Sequence, residues 1–224
     1  MAGLTIVTDV ASEPLTVSEV KDYIRVDDNI DDTVITNMIK SARLWVENYT
    51  NRSLLNRTLK YSIDYIDEVE QPLWEGVRVG PDMTMRRRYL QLPRPPVVSV
   101  SSVKYFSDDD TETVFASSKY YVDNAREPAR IVLRNGETWP TALRVANAIE
   151  VTYVSGYGAN RTDVPEALIQ GIMQTIAFYY ENRGDVYDRP QNFAPKTLKL
   201  LLDPYKVMSF STNPFVDSVS GYAS

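Results

Sequence analysis

The sequence predicts an α+β protein in which an α-helical bundle, built from the N- and C-terminal segments, carries an inserted antiparallel β domain. Apolar residues recur at helical spacing from Thr16 to Asn51 and again from Asp163 to Lys206. The residues between these two stretches alternate with the period of strands, and neither helical stretch can bury all its apolar side chains alone. The predicted units are 15–56 with 163–206 for the helical bundle, 57–162 for the inserted β domain and 207–224 for an extended C-terminal tail.

Two helices are predicted in the first segment. Residues Thr16 to Glu19 have the spacing of a capping box, in which a hydroxyl and a carboxylate satisfy amides of the first turn, and a short helix follows through Arg25. Asp31 and Asp32 favour the start of a second helix, because negative charge stabilises a helix N-terminus. Its apolar residues share one face, which is expected to pack in a core: Val34, Ile35, Met38, Ile39, Ala42, Trp45, Val46 and Tyr49.

The middle of the chain reads as short strands joined by turns. From Leu59 to Tyr65 the odd-numbered residues are predicted to form a buried face, with polar residues on the other. Prolines 93, 95 and 96 cannot donate ladder hydrogen bonds, so they are expected in an edge or a connector. Short strands of this kind favour an antiparallel sheet or a small barrel. The further predicted strands are 97–106, 120–122, 130–133 and 149–154.

Helical periodicity returns after the strands. Pro165 is placed in a first turn, where its missing N–H is harmless. A stripe from Leu168 to Tyr180 follows, and a last short helix is predicted between Pro195 and Pro204. The tail beyond Lys206 has no periodicity, but it keeps aromatic residues that a disordered tail seldom has. We therefore expect this tail to dock on a partner.

Composition narrows the possible chemistry. The 224 residues contain no cysteine, which excludes disulfides and thiolate chemistry, and no histidine, the commonest general base near neutral pH. Carboxylate, lysine and serine chemistry remain possible. A net charge of −6 disfavours general binding to a phosphate backbone. No apolar run approaches the ~20 residues of a membrane span, so we expect no membrane partner and synthesis in the cytoplasm.

Two acidic clusters were tested as metal sites. Residues 27–31 match the opening of a calcium loop, but Asp32 stands where the loop needs glycine and Met38 where it needs a bidentate glutamate. These residues are better interpreted as loop and helix-start carboxylates. Residues 108–110 and Glu112 are interpreted as a solvated turn, since nothing else there has ligand spacing.

Three further motifs also fail as functional sites. The basic run 86–88 beside a predicted turn is interpreted as solvated charge. Gly156-Tyr157-Gly158 lacks the third glycine of a dinucleotide fingerprint. No serine stands in a nucleophile elbow. The sequence thus predicts no catalytic, cofactor or metal site.

The whole course of the chain resembles the head-tail connector proteins, or adaptors, of long-tailed bacteriophages and gene transfer agents. The resemblance covers about 15–206 and is specific through the order of its segments, each of which is weak alone. These segments are 15–21 with Asp31-Asp32, 42–54, 92–100, 127–133 with Trp139-Pro140, 164–168 and 179–183.

This resemblance implies a structural virion protein and no enzyme. It implies a ring, usually of twelve copies, docked beneath the portal protein at the head-tail junction. The ring extends the DNA channel, passes DNA without sequence-specific binding and meets a tail-side connector, stopper or tail terminator. The alternatives are a carboxylate-dependent hydrolase and a tail-associated binding module. The tail residues expected to bind a partner are Phe210, Asn213, Pro214, Phe215, Val216 and Tyr222.

Overall fold

A computed structural model describes residues 2–66, 68–69, 85–86, 89–182 and 196–207. It contains four α-helices and ten strands within these residues. The helices are α1 (Val17–Ile24), α2 (Asp32–Thr50), α3 (Glu166–Glu181) and α4 (Lys196–Leu202). The strands are β1 (Ala2–Thr8), β2 (Arg57–Ile63), β3 (Glu68–Val69), β4 (Met85–Arg86), β5 (Tyr89–Gln91), β6 (Val97–Phe106), β7 (Glu112–Val114), β8 (Tyr120–Asp123), β9 (Arg130–Leu133) and β10 (Ile149–Ser155).

The ends of the helices follow from local chemistry. The capping box at α1 is confirmed: the Glu19 amide donates to the Thr16 hydroxyl at 3.2 Å, and the Thr16 amide donates to the Glu19 carboxylate at 2.8 Å. Arg25 and Asn51 take the left-handed conformation after α1 and α2, which ends a helix. α3 begins directly after Pro165, whose carbonyl accepts a hydrogen bond from the Leu168 amide.

The helices share one hydrophobic core. Its buried residues come from both ends of the sequence: Leu15, Val20, Ile35, Ile39, Ala42, Val46, Leu54, Leu55, Val164, Leu168, Ile169, Ile172, Ile176, Leu198 and Leu202. α3 packs closely on α2 and α4. No helix within the described residues is long and apolar enough to span a membrane.

The main sheet has five antiparallel strands in the order β1-β2-β10-β6-β7. A second sheet has the order β5-β9-β8, and the short pair β3-β4 forms a third. The buried residues of the β region form their own core, in which Phe115 stacks on Trp139 and on Tyr120 with ring centroids 5.4 and 6.0 Å apart. The predicted α+β class and the antiparallel pairing are therefore confirmed.

The structure differs from the sequence predictions in two respects. Strands β1, β3, β4 and β7 were not predicted, and β1 places the N-terminal residues in the main sheet. Tyr65, predicted on the buried face of its strand, lies beyond the end of β2 and is exposed. The segment with the three prolines connects β5 to β6, as predicted. The arginines at 86–88 have no described side chains.

Candidate functional site

The most unusual feature of the interior is a group of charged residues, which we call the junction cluster: Asp9, Glu13, Arg43, Glu47, Arg57 and Arg94. Arg43, on α2, is fully buried. Its Nε donates to Glu13 at 2.7 Å, and its Nη1 donates to Glu47 at 3.1 Å. Burial of the guanidinium disfavours the charged form, but the hydrogen bond that it donates to Glu13 and the charge of Glu47 outweigh the effect of burial and raise the pKa of Arg43.

The cluster joins the helices to the main sheet. Arg57, the first residue of β2, pairs with Glu47 at 3.1 Å and lies 4.0 Å from Asp9, in the segment that follows β1. Glu47 also accepts the Leu54 amide at 3.1 Å. Since buried charges are tolerated only when they are paired and hydrogen-bonded, these contacts fix the N-terminal segment, α2 and β2 relative to one another.

Arg94 extends the cluster toward β6. Its guanidinium donates to the Glu47 carbonyl and to the Asn48 side chain, both at 2.6 Å, and so caps the C-terminal end of α2. The Ser155 hydroxyl donates to the Arg94 carbonyl. Burial and the nearby charge of Arg57 lower the pKa of Arg94. The connector before β6 is therefore held at the same junction.

The chemistry of the cluster is structural. Guanidinium groups stay protonated and cannot act as general bases, and the carboxylates of Glu13 and Glu47 are engaged in ion pairs with Arg43. Within the described residues, no group of three His, Cys, Asp or Glu side chains is placed to hold a metal ion. We interpret the cluster as a rigid connection between two cores.

A second set of contacts fixes the start of the C-terminal tail. The Val207 amide donates to the Thr50 carbonyl at 2.9 Å, at the end of α2. The Arg52 Nε donates to the Tyr205 carbonyl at 2.6 Å, while the same guanidinium pairs with Glu127 of the β region. The tail therefore leaves the body beside the junction of helices and sheet.

Tyr49 strengthens this anchor. Its hydroxyl donates to Asp203 at 2.5 Å, and Lys206 lies 5.1 Å from the centre of its ring. Burial, followed by the hydrogen bond to Asp203, raises the pKa of Tyr49 to about 12. The partner-binding residues predicted in the tail, from Phe210 to Tyr222, lie outside the described residues, so their role stays a prediction.

The two acidic clusters form contacts within the protein. Lys21 on α1 donates to Asn29 at 2.6 Å and pairs with Asp32 at 3.0 Å, which ties the loop between the first helices to α1. Asp109 accepts the Thr111 amide, which lowers the pKa of its carboxyl group. The residues of both clusters thus lie in loops or at the start of an element.

Gly156 is required by packing, since a Cβ there would lie 2.4 Å from the Leu55 backbone.

A third feature of the molecule is the outer edge of the main sheet. β1 pairs only with β2 within the described part of the chain, and its side chains from Gly3 to Thr8 are exposed. Sequence analysis missed both this strand and the junction cluster. The strand could have been predicted from the uncharged, β-branched run at the N-terminus. The cluster could have been predicted from Arg43 and Glu47, which are spaced i, i+4 on the apolar side of a helix.

Comparison with known protein families identifies the family of this chain. Residues 13–191 match the model of the head completion protein family, which is well over half of the chain. The chain belongs to the head completion protein family. This confirms the predicted head-tail connector family of phage-like particles, whose role is structural, and it does not favour the hydrolase or the binding module.

Solved structures share the fold of this head completion protein. One chain from the "Neck of empty GTA particle computed with C6 symmetry" has a TM-score of 0.69 and 20% identity, with 94% of this chain and 98% of that chain covered. A chain from the "Virion of native gene transfer agent (GTA) particle" has a TM-score of 0.69 and 19% identity, covering 93% and 97%. A third chain, from the "Neck of native GTA particle computed with C12 symmetry", has a TM-score of 0.67 and 22% identity, with 94% of this chain and 98% of that chain covered. A comparison with curated proteins finds no match.

Proposed function

We propose that this head completion protein forms a ring beneath the portal, at the head-tail junction of a phage-like particle. There it extends the DNA channel and offers the docking surface for the tail. The observation that carries this proposal is the family match over residues 13–191. The shared fold supports it, because the similarity covers almost the whole length of chains from the necks of gene transfer agent particles.

The proposal includes the division of the chain into a helical unit, 15–56 with 163–206, and an inserted β unit, 57–162. Two separate cores support this division. The helical core draws its buried residues from 15–55 and 164–202, and the β core draws its own from 59–153. β1 extends the β unit, because it pairs with β2 although it precedes the helices.

The proposed partners are the portal protein above the ring, and a tail-side connector, stopper or tail terminator below it. The ring contains twelve copies of the chain. The net charge of −6 suits a channel that passes DNA without holding it, since like charges repel the phosphate backbone. The protein works at the head-tail junction of the virion after synthesis in the host cytoplasm.

In this function the ring performs no catalysis. The absence of histidine and cysteine, together with the full pairing of Arg43 and Glu47 in the junction cluster, supports a role carried by contacts alone. A reproducible turnover that is lost on replacing one carboxylate would contradict this part of the proposal.

The direct test is to produce particles without this chain. We expect filled heads that carry no tails, and normal particles when the chain is supplied from a second gene copy. Electron microscopy counts tailed and tailless heads, and mass spectrometry of purified particles measures the ratio of this chain to the portal. Tailed particles at normal yield in its absence would overturn the proposal.

The C-terminal tail is proposed to anchor the ring through Phe210 and Phe215. Truncation after Val207 keeps the amide that binds Thr50, so we expect an unchanged melting temperature. Each buried aromatic contributes roughly 1.5–3 kcal/mol before ordering costs, and repetition around a ring multiplies the effect. We therefore expect truncated protein to be lost from heads.

A matched control for the truncation is a full-length chain with Ser209 and Ser211 replaced by alanine, which keeps both phenylalanines. It should be retained at normal stoichiometry on purified heads. If the truncated chain is retained equally well, the tail is a passive extension.

A further inference from the structure

The two edges of the main sheet are open to a neighbour. β1 forms one edge and β7 the other, and no further strand of the described residues pairs with either. On β1, Leu4, Ile6 and Val7 are 40%, 47% and 57% exposed, and on β7 Val114 is 60% exposed. Edges of this kind present unpaired backbone N–H and C=O groups to any strand that approaches.

The apolar face of the sheet continues onto β1 and is left uncovered there. Leu4 lies opposite Tyr61, and Ile6 lies opposite the buried Leu59. Directly opposed residues share one face of a sheet, so Leu4 and Ile6 extend the face that packs in the β core. At the other edge Thr113 lies opposite Tyr105, which packs against the same core.

Neither edge presents net charge. Proteins usually block open edges with charged side chains, but the seven residues of β1 contain none. On β7 the carboxylate of Glu112 is paired with Lys104 of the neighbouring strand at 2.7 Å. The charges of the sheet interior, such as the Lys60–Glu150 pair, are also matched. Both edges thus suit a neutral partner strand.

We propose that β1 of one copy pairs with β7 of the next copy, so that the main sheets join edge to edge around the ring. The occupant of each edge is therefore a second copy of this chain. This inference rests on the proposed function and adds the surface through which ring copies meet.

The topology fixes the direction of this pairing. All five strands are antiparallel to their neighbours, so the first and fifth strands, β1 and β7, run the same way. A cyclic ring keeps that direction from copy to copy, and the new pair is parallel. A contact between two different edges is heterologous and closes a ring when the rotation between copies divides a full turn, whereas β1 pairing with another β1 would stop at a dimer.

The size of the contact explains why a template is needed. β7 has three residues, about 10 Å of strand at about 3.3 Å per residue. The surface that so short a ladder buries lies far below the roughly 800 Å² per partner that stable complexes bury. Two free copies would therefore separate, while copies held side by side on a portal would stay paired through many repeated contacts.

Cysteine cross-linking tests the pairing, and the natural chain contributes no cysteine of its own. Leu4 and Ile6 flank Thr5, and Thr113 precedes Val114. Because successive side chains of a strand alternate between the two faces, Thr5 and Val114 both lie on the face opposite the β core. We would make Thr5→Cys with Val114→Cys in one chain, produce particles and treat them with a short bismaleimide. The expected result is a ladder of linked multimers on a denaturing gel, with at least tenfold less product from either single variant.

The outcomes separate this inference from the proposed function. Particles that contain the double variant at normal stoichiometry but yield no ladder overturn the inference and leave the ring intact. Dimers from Thr5→Cys alone show pairing of β1 with β1 and also overturn it. Complete absence of the wild-type chain from particles overturns the proposed function and, with it, the inference.

A charge placed on the edge gives a second test. Ile6→Lys should keep the melting temperature of the free chain, because the side chain is half exposed, but lower tailed particles at least tenfold by burying a lysine between copies. Ile30→Lys is the matched control, since Ile30 is 87% exposed and lies in the loop between α1 and α2, outside the sheet. Normal particle yield with Ile6→Lys would contradict the pairing.

Discussion

The junction between the two cores and the outer edge of the main sheet differ in charge and in burial. At the junction, three arginines and three carboxylates meet, with Arg43 fully buried among them. At the edge, β1 has no charge and little burial. A buried ion pair offsets the cost of desolvation only when its geometry is good and its remaining polar groups are hydrogen-bonded, so the junction ties the helical and β regions together. An uncharged strand edge accepts a neighbour, so the edge suits assembly.

The largest effect is expected at the junction, from Arg43→Ala. It removes the buried guanidinium that pairs with Glu13 and Glu47, while Glu47 keeps its pair with Arg57, and breaking a buried pair costs about 3–5 kcal/mol. Urea unfolding of the free chain measures the change. Lys40→Ala, at an exposed position of the same helix, should change stability by less than about 0.5 kcal/mol. Equal, small effects of both variants would show that the cluster does not hold the junction.

The next effect concerns the backbone at the same junction. Gly156 has φ 145°, its amide donates to the Pro96 carbonyl at 2.9 Å, and a Cβ would lie 2.4 Å from the Leu55 carbonyl carbon. Gly136 also has positive φ, 84°, but a Cβ there would meet nothing within 4 Å. We expect Gly136→Ala to cost about 1–2 kcal/mol and Gly156→Ala at least about 2 kcal/mol more, because a backbone must move.

Thermal unfolding by circular dichroism compares these two glycine variants. The difference between them isolates the close approach of the chain segments, since the left-handed conformation is common to both. If the Gly156→Ala protein is as stable as the Gly136→Ala protein, the backbone segments at the junction move apart at little cost. The junction would then be less rigid than its buried ion pairs indicate.

Local pattern explains why parts of the fold were predictable. The bounds of β6 and β9 follow from alternation and turn residues, and the predicted strands 97–106 and 130–133 match them. The capping box at Thr16 is encoded within four residues. In contrast, the order of strands in the sheet depends on pairings such as β2 with β10, which are far apart in sequence.

The junction and the edge were missed for different reasons. Arg43 lies in a helical stripe that periodicity analysis judges by its apolar members, and its partner Glu13 is 30 residues away. β1 contains Gly3, and its apolar and polar residues do not alternate strictly because Ile6 and Val7 are adjacent, so its strand character is clear only when β2 lies beside it. The tail residues around Phe210 and Phe215 remain predicted from composition alone.

A smaller effect is expected where the tail leaves the body. Arg52→Ala removes the bond to the Tyr205 carbonyl and the pair with Glu127, and the loss of a charged hydrogen bond costs about 1.5–3 kcal/mol, less here because Glu127 is exposed. Hydrogen exchange at 203–207 should accelerate. Arg126→Ala, at an exposed neighbour of Glu127, serves as the control. Unchanged exchange would show that the tail is anchored by Tyr49 and Asp203 instead.

The smallest effect is expected at the capping box of α1, which is not part of the junction cluster. Hydrogen bonds from the Thr16 amide and hydroxyl, with a contribution from Arg161, lower the pKa of Glu19, although burial opposes them. A carboxyl group with a lowered pKa stabilises the fold above its ordinary value, about 4.3 for glutamate, and this contribution disappears as the pH falls through the lowered value.

Glu19→Gln keeps the spacing of a capping box but removes the titrating group. We expect stability at pH 7 to fall by no more than about 0.5–1 kcal/mol and the loss between pH 5 and pH 3 to be slightly smaller than in the natural chain. Urea unfolding at several pH values measures both. Asp22→Asn, which removes a carboxyl group from an exposed position of the same helix, serves as the control. Glu19→Gln is expected to change the free energy of unfolding, at every pH measured, by less than Arg43→Ala does at pH 7. An equally large change would mean that the start of α1 is coupled to the junction cluster. The contrast between a rigid interior and an adaptable periphery would then not hold.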